Sequence, residues 1–274
     1  MSQPTETTRH LSPDERRRLL AQMLKEKASR TAERPLSLGQ ERLWLMSRLE
    51  PDSALYNIAV GYRLLGPLDL AALEQGCRII ADRHEVLRST FATRDGRTSA
   101  VVGQFVASAF SVVDLRALPA SERLARGTQL TTEPARRPFD LARGPLCRIA
   151  VIRWSDEGHD VVLAMHHIVS DAWSFYVFCR ELAECYDARR SGQPPSLGEL
   201  PLSYAAFGER QRRWLSGQIY QEQLTYWRTQ LSGDVPGLLL PTDRRGSATM
   251  LHPGSFQSLE IPDRTAAART PRCS

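Results

Sequence analysis

The chain has 274 residues, a formal net charge of +5 at pH 7, 42% hydrophobic residues and 24% charged residues. This length fits one large domain or two small ones, and the composition is that of a globular protein, which excludes a disordered tail and a fibre. No run of 18 apolar residues occurs, so a membrane-spanning helix is excluded. The first residues lack the pattern of a signal peptide.

The charged residues and the cysteines narrow the possible partners. Lys25 and Lys27 are the only lysines, the arginines are spread along the whole chain, and no block of basic residues occurs. We therefore expect no nucleic-acid partner, although a mildly basic surface suits an acidic partner. The five cysteines are scattered and form no C-x-x-C pair. Neither a disulfide framework nor a zinc site is expected, and a reducing cytoplasm fits best.

The first predicted element is an amphipathic helix over residues 11–30. Ser12 and Glu15 form a capping-box pattern at its start, and Leu19, Leu20, Met23 and Leu24 form a narrow apolar stripe on an otherwise charged helix. Such a stripe must be covered. Two interpretations stay open: the helix packs on its own domain, or it docks on another chain, such as an upstream partner protein.

The rest of the sequence predicts alternating strands and helices. Apolar periodicity and turn residues predict strands over 56–65, 87–93, 98–105, 109–113, 146–154, 160–165 and 256–261, and helices over 40–49, 69–80, 173–190, 202–215 and 220–231. Asp95 and Gly96 predict a hairpin turn between the second and third strands. The apolar run over 160–165 is typical of a strand buried on both faces. This alternation predicts an α/β fold with helices flanking a sheet.

The densest chemical signal lies where this buried strand ends. His166 and His167 are followed by Asp171 and then by a helix. Neighbouring side chains of an extended segment point to opposite faces, so we expect one histidine to face a cavity and the other to pack in the body. Asp171 can turn back toward His167, pair with an arginine, or simply cap the helix. A metal site is disfavoured because adjacent histidines fit badly around one ion.

Three further segments, together with this one, carry a resemblance to a known family. Residues 166–172 match the pattern HHxxxDG except at the last position, residues 36–44 read LSLGQERLW, residues 83–91 read RHEVLRSTF, and residues 139–146 read FDLARGPL. In their order along the chain, from residues 36–44 to residues 166–172, these segments resemble the motifs of nonribosomal peptide synthetase condensation domains, and the resemblance runs from about residue 35 to residue 261. An acyl-CoA-dependent acyltransferase shares the histidine motif but is disfavoured by the segments 36–44 and 83–91.

The resemblance implies a chloramphenicol-acetyltransferase-like fold of two lobes with the active site in a tunnel between them. It implies amide-bond formation between substrates held on upstream and downstream carrier proteins, which supply 4'-phosphopantetheine, so the chain itself needs no cofactor or metal. His167 would be the catalytic residue, as a base or as a group that positions the amine. His166 and Asp171 would be architectural, with Asp171 paired to Arg83 or Arg88.

The chain also departs from the family pattern. Ala172 replaces the glycine of HHxxxDG and is expected to narrow the tunnel or strain a turn, and the segment 204–211 carries Ala206 and Arg210 where the family has aspartate and tryptophan. We expect an amphipathic helix or docking segment over 1–33, a nearly complete first lobe over 34–192, the start of a second lobe over 193–262 and a disordered tail over 263–274. A chain truncated in this way would show little condensation alone, so an inactive remnant or a carrier-binding interaction module stays an alternative.

Overall fold

The architecture is taken from a computed structural model that describes residues 33–234 and residue 237. The predicted helix over 11–30, the predicted strand over 256–261 and the predicted tail lie outside the described residues. Two compact units, residues 1–224 and residues 225–274, divide the chain. Of the second unit, the described part is the end of the last helix and the few residues after it.

Seven strands and six α-helices make up the described part of the chain. The strands are β1 (Glu33–Pro35), β2 (Asn57–Leu65), β3 (Ser89–Arg94), β4 (Arg97–Val102), β5 (Phe110–Asp114), β6 (Cys147–Arg153) and β7 (Gly158–His166). The helices are α1 (Leu38–Leu49), α2 (Leu70–Arg83), α3 (Ala120–Arg136), α4 (Ala172–Ser191), α5 (Tyr204–Leu215) and α6 (Gln218–Gln230). None of these helices is both long enough and apolar enough to cross a membrane.

The larger sheet has four strands in the order β2-β7-β6-β5. Its pairs are antiparallel except for β5 and β6, which run parallel. Strand β7 lies between two neighbours, and all its residues after the first are buried. Val161, Leu163 and Met165 belong to the large core that α2 and α4 share, whereas Val162 packs in a second core with Leu130 of α3. The prediction that this strand is buried on both faces is confirmed.

Helices α2 and α4 pack closely against each other beside this sheet. A Cβ atom at Gly76 would lie only 2.9 Å from Leu182 Cδ1 and 3.3 Å from Cys185 Cβ. The glycine therefore permits a short distance between the two helices that a larger residue would prevent. This packing fixes the position of α4, whose first turn follows the histidine pair.

The smaller sheet has three strands in the order β1-β4-β3. Its hairpin turns at Asp95 and Gly96, as predicted, and both residues have positive φ (49° and 73°), which suits the tight turn that Asp-Gly favours. The strand predicted over 87–93 starts later than expected, because Glu85–Arg88 forms a 3-10 turn that continues from α2. That turn brings the segment 83–91 to the edge of the cavity beside the histidine pair.

Helix α3 was not predicted from the sequence. Its 17 residues are mostly polar and include Gly127 and Pro134, and its buried residues are Gly127 and Leu130. The helix lies over Trp154, where a Cβ atom at Gly127 would come within 1.8 Å of the indole ring. The indole ring of Trp154 thus fills the space that several apolar side chains of the helix would otherwise fill. The sequence of the helix therefore has no apolar stripe from which it could be predicted.

Candidate active site

The histidine pair lies at the point where β7 leaves the sheet. His166 is the last residue of the strand and pairs with Asn57 of β2, and its N–H donates to the Leu146 carbonyl at 3.0 Å. The His167 N–H donates to the Tyr56 carbonyl at 2.8 Å. The residues that immediately precede β6 and β2 therefore hold the backbone of the pair, and the chain continues into α4 only after this point.

His167 faces a cavity. Its side chain is exposed and contributes to the wall of a cavity of about 570 Å³. Its ring Nδ1 lies 2.8 Å from the Ser170 carbonyl oxygen. Because a carbonyl can only accept, Nδ1 carries the hydrogen of the neutral ring and Nε2 keeps a lone pair. The hydrogen bond to Ser170 thus selects the tautomer in which Nε2 can accept a hydrogen bond or act as a general base.

His166 has the opposite environment. It is 4% exposed, and its Nδ1 accepts the Ile168 N–H at 3.0 Å. Its ring packs edge-on against Phe139, with the ring centroids 6.1 Å apart, and near Tyr56. Burial, and then the nearby His167, lower the pKa of His166 from 6.5 to about 4. The expected division, with one histidine at a cavity and one in the body, is confirmed.

Asp171 caps helix α4. Its Oδ1 accepts the Ser174 N–H at 2.8 Å and the Ser174 hydroxyl at 2.7 Å, and Ser174 Oγ in turn accepts the Asp171 N–H at 3.1 Å. These bonds lower the pKa of Asp171 below its usual value, the Ser174 hydroxyl contributing most. Three roles were considered for Asp171: a contact with His167, an ion pair with an arginine, and a helix cap. The structure shows the helix cap.

The expected ion pair between Asp171 and an arginine is wrong for the described residues. Arg83 instead donates to Glu181 Oε1 at 3.3 Å and to the Gly198 carbonyl. Arg88 donates to the carbonyls of Ala81, at 3.1 Å, and Gly103. Both guanidinium groups are therefore already bonded elsewhere. Asp171 has its partners within its own helix turn, and the described residues contain no arginine within ion-pair distance of it.

The backbone strain expected at Ala172 is absent, and the narrowing of a tunnel between two lobes stays an expectation. Ala172 is the first residue of α4, and its φ is not positive. Among the described residues other than glycine, Asp95 alone has a positive φ. A helical backbone accepts a methyl group without strain. Ala172 also does not line the cavity, whereas its neighbours Asp171 and Trp173 do.

Two features of the cavity wall were missed when the sequence alone was considered. Gln40, which is 4% exposed, donates from Nε2 to the Ile168 carbonyl at 3.2 Å and accepts the Ser37 N–H at 3.1 Å. His84 lines the cavity and lies 2.7 Å from the buried carboxylate of Glu181. Gln40 belongs to the segment 36–44 and His84 to the segment 83–91. A polar residue within each of these motifs could therefore have indicated the two side chains from the sequence.

Within the described part of the chain, no three His, Cys, Asp or Glu side chains cluster in a way that would hold a metal ion. One histidine of the pair faces the cavity and the other faces the core. Strand geometry therefore separates the two adjacent imidazoles rather than directing them at one point.

Sequence comparison decides the family. The model of the condensation domain matches residues 31–272. The chain belongs to the condensation-domain family. It is 43% identical over 237 residues to a linear gramicidin synthase protein of Brevibacillus parabrevis, covering 86% of this chain and 3% of that protein. It is 39% identical over 233 residues to the phosphinothricin tripeptide synthetase PhsB of Streptomyces viridochromogenes, covering 85% of this chain and 20% of that protein.

Solved structures show the same fold. The starter condensation domain of rhizomide synthetase RzmA matches with a TM-score of 0.65 at 24% identity, over 74% of this chain and 48% of that one. A chain in the complex of the X-domain and OxyB from teicoplanin biosynthesis matches with a TM-score of 0.67 at 32% identity, over 78% and 46%. The α/β fold expected from the resemblance is confirmed. This condensation-domain chain spans about half the length of those structures.

The segment that departs most from the family pattern still supports the site. Tyr204 begins α5, and its hydroxyl lies 3.0 Å from Ser37 Oγ. Gln211 Oε1 accepts the Leu38 N–H at 3.3 Å. The departing residues are Ala206, which is partly buried, and Arg210, which is exposed. Neither lines the cavity, so the contacts that join α5 to the start of α1 do not depend on them.

Proposed function

We propose that this condensation domain forms amide bonds between two carrier-bound substrates. The amine of an aminoacyl thioester attacks the carbonyl of an acyl or peptidyl thioester, a C–N bond forms, the C–S bond breaks, and the donor carrier leaves as its thiol. The observation that carries the proposal is the geometry of His167. Its ring lies at the cavity wall, its Nδ1 is held by Ser170, and its Nε2 is left to accept a hydrogen.

The chemistry asks little of the base. A free α-amine has a pKa of about 8, so on the order of a tenth is unprotonated at pH 7. Holding the amine next to a thioester supplies much of the rate, because effective molarities of positioned reactants are very high. His167 Nε2 accepts a hydrogen bond from the amine and takes the proton that leaves the nitrogen after attack. This proton is then transferred to the sulfur of the departing thiolate, which leaves as the thiol.

The cavity supports a tethered substrate. Its wall is largely apolar, with side chains such as Leu43, Ile80, Leu87 and Phe178, and its volume of about 570 Å³ is within the range of small-molecule sites. We propose that 4'-phosphopantetheine enters it from upstream and downstream carrier proteins. The 34 arginines of the chain suit the acidic surfaces of such carriers. We also propose that residues 1–33 dock on an upstream synthetase protein and that the reaction occurs in the cytoplasm.

The test is acyl transfer between two loaded carriers under single-turnover conditions. One carrier holds an acyl thioester and the other an aminoacyl thioester, and the 274-residue chain is in excess so that slow turnover is still measured. We expect product above the uncatalysed mixture and a loss of about 10²–10⁴-fold in His167→Ala. The control is Ser121→Ala, at an exposed position of α3 that does not line the cavity, which should leave the rate unchanged. Product formation equal in wild type and His167→Ala would contradict the proposal.

An interaction module is the second candidate. The observation that favours it is the likeness, at 32% identity, to a chain from the complex of the X-domain with OxyB, in which a protein is bound. The same assay separates the two candidates. Carrier binding without product in either wild type or His167→Ala supports the module, whereas product that depends on His167 supports the enzyme.

A further inference from the structure

Phe139 covers the buried histidine of the pair. It is the first residue of the segment 139–146, which carries part of the family resemblance but contributes no residue to the cavity of His167. Its side chain is buried, and its ring meets that of His166 edge-on, with the ring planes at 87°. The segment therefore contacts the histidine turn from within the body of the protein.

Arg148 lies over the ring of Phe139. Its Cζ is 3.8 Å from the centroid of that ring. Its Nη1 donates to the Arg137 carbonyl at 2.8 Å, and its Nη2 donates to the Pro138 carbonyl at 2.7 Å. A planar guanidinium can stack on an aromatic face and donate in its own plane at the same time. One side chain therefore holds both the ring of Phe139 and the backbone that leads to it.

Asn57 joins the same backbone to the strand beside His166. Its Nδ2 donates to the carbonyls of Ala135 and Arg137, each at 2.9 Å, and the residue pairs with His166 across β2 and β7. Arg148 pairs with Ala164 of β7, so its side chain lies on the same face of the sheet as that of His166. The contacts of Phe139, Arg148, the Arg137 carbonyl and Asn57 thus form a closed circuit around His166.

The ring and backbone of His166 in turn hold the residues that orient His167. His166 Nδ1 accepts the Ile168 N–H at 3.0 Å, and the Ser170 hydroxyl donates to the His166 carbonyl at 3.2 Å. The carbonyl of the same Ser170 accepts from His167 Nδ1 at 2.8 Å. A shift of the His166 ring would therefore change the turn that fixes the tautomer and direction of the His167 ring.

The charge of Arg148 has no carboxylate partner among the ion pairs of the described residues. Burial, and then the nearby Arg137, lower the pKa of Arg148 to about 10, so the side chain is still charged at pH 7. Burying a charge costs free energy. An apolar side chain of similar length would avoid this cost, but it would bond to neither carbonyl. The contacts of the guanidinium are what an arginine supplies at this position.

We propose that Arg148 is a positioning residue, which holds Phe139 against the ring of His166 and thereby fixes the turn in which His167 presents Nε2 to the cavity. The effect on the rate rests on the proposed function. Displacing a reacting group by about 1 Å can cost on the order of 10²-fold in rate. A role in positioning therefore predicts a slower reaction with unchanged binding of the carriers.

The test compares Arg148→Met with Arg153→Met in the single-turnover carrier assay. Arg153 is a half-buried arginine at the other end of the same strand, where it pairs with Asp114 at 3.6 Å. We expect the maximal rate of Arg148→Met to fall about tenfold, with a change of less than about twofold in the chain concentration that gives half of that rate. Arg153→Met, which removes an arginine from the same strand, should keep the wild-type rate.

Two further measurements separate positioning from general support of the fold. Phe139→Leu should lower the rate about as much as Arg148→Met, and the double variant should be slower than Phe139→Leu by less than about twofold, because Arg148 acts through that ring. In the full chain, the nuclear Overhauser effect between the ring protons of Phe139 and His166 should be clear in the wild type and in Arg153→Met. It should fall by at least about half in Arg148→Met if the packing of the two rings depends on the guanidinium.

Equal rates for Arg148→Met and the wild type would overturn the inference and leave the proposed function standing. Losses that multiply in the double variant, or an Overhauser effect unchanged in Arg148→Met, would overturn it as well. If the double variant does not fold, the comparison of Arg148→Met with Arg153→Met decides. If the wild type itself gives no product, the proposed function fails, and the Overhauser effect alone decides whether Arg148 positions the histidine turn.

Discussion

The two adjacent histidines have different environments because the strand ends at the first and the turn begins at the second. His166 is the last residue of β7, so its neighbours in the sheet and the ring of Phe139 cover it. His167 is the first residue of the turn that follows, so its ring lies at the cavity wall and bonds to Ser170. The alternation of side chains along an extended chain is thus enough to separate a buried imidazole from an accessible one.

The buried histidine makes stability depend on pH. In the folded protein the pKa of His166 is about 4, compared with 6.5 for a free histidine. Between these values the unfolded chain binds a proton that the folded chain does not, so stability falls as pH falls from about 6.5 to about 4 and this contribution stops changing below that. The effect is at most about 3 kcal/mol. Urea unfolding at pH 7.5 and pH 4.5 measures it.

His166→Asn is the control, because its side-chain oxygen can accept the Ile168 N–H that His166 Nδ1 accepts and it does not titrate. At pH 7.5 the variant should be less stable than the wild type, since a packed ring is lost. At pH 4.5 the difference should shrink. A difference in free energy of unfolding that is the same at both pH values would show that His166 is not the group responsible.

The environment of a side chain could be predicted where it depends on neighbouring residues in the sequence. It could not be predicted where it depends on residues that are distant in the sequence. The strand period alone assigned the two histidines to different faces. The pairing of Asp171 could not be settled in this way, because Ser174, three residues on, competes with any arginine and Arg83 has a buried acceptor in Glu181. Nothing in the sequence showed that Glu181 would be buried beside His84.

Helix α1 supports the histidine turn through one side chain. Gln40 joins the start of the helix, at Ser37, to the Ile168 carbonyl across 128 residues of sequence. Replacing it with an apolar residue of similar length leaves a buried carbonyl without this partner, which costs about 1–3 kcal/mol. We expect Gln40→Met to lower the free energy of unfolding by that amount in a urea titration.

The matched variant is Arg42→Met, two residues along the same helix at an exposed position. It should change stability by no more than about 0.5 kcal/mol. If Gln40→Met were as mild as Arg42→Met, the hydrogen bond to Ile168 would not hold the turn.

Elements with a strong apolar pattern were predicted and those without it were not. The run over 160–165 corresponds to β7, and the segment 173–190 corresponds to α4 with Gly192 in the left-handed region at its end. Helix α3 escaped prediction because Trp154, which belongs to another part of the chain, fills the space over Gly127. Packing of that kind is set by tertiary structure, and sequence periodicity does not record it.

At the scale of the molecule, segments distant in sequence meet around one cavity. The wall combines residues of α1, the end of α2, the turn after β7, the start of α4 and residues 200–207. Three of the four segments that carried the family resemblance therefore contribute to it, through Gln40, His84 and His167. The resemblance named these segments from the sequence, whereas the hydrogen bonds that join them required the fold.

The central claim is that Nε2 of His167 meets the amine of an aminoacyl substrate in this cavity. Nitrogen NMR of the histidine rings tests it most directly, during titration with glycyl-pantetheine in which an amide replaces the thioester so that no reaction occurs. The account predicts a saturable shift of the His167 Nε2 resonance, retention of the hydrogen on Nδ1, and no change at buried His166. A titration that saturates without moving the His167 resonance would contradict the account.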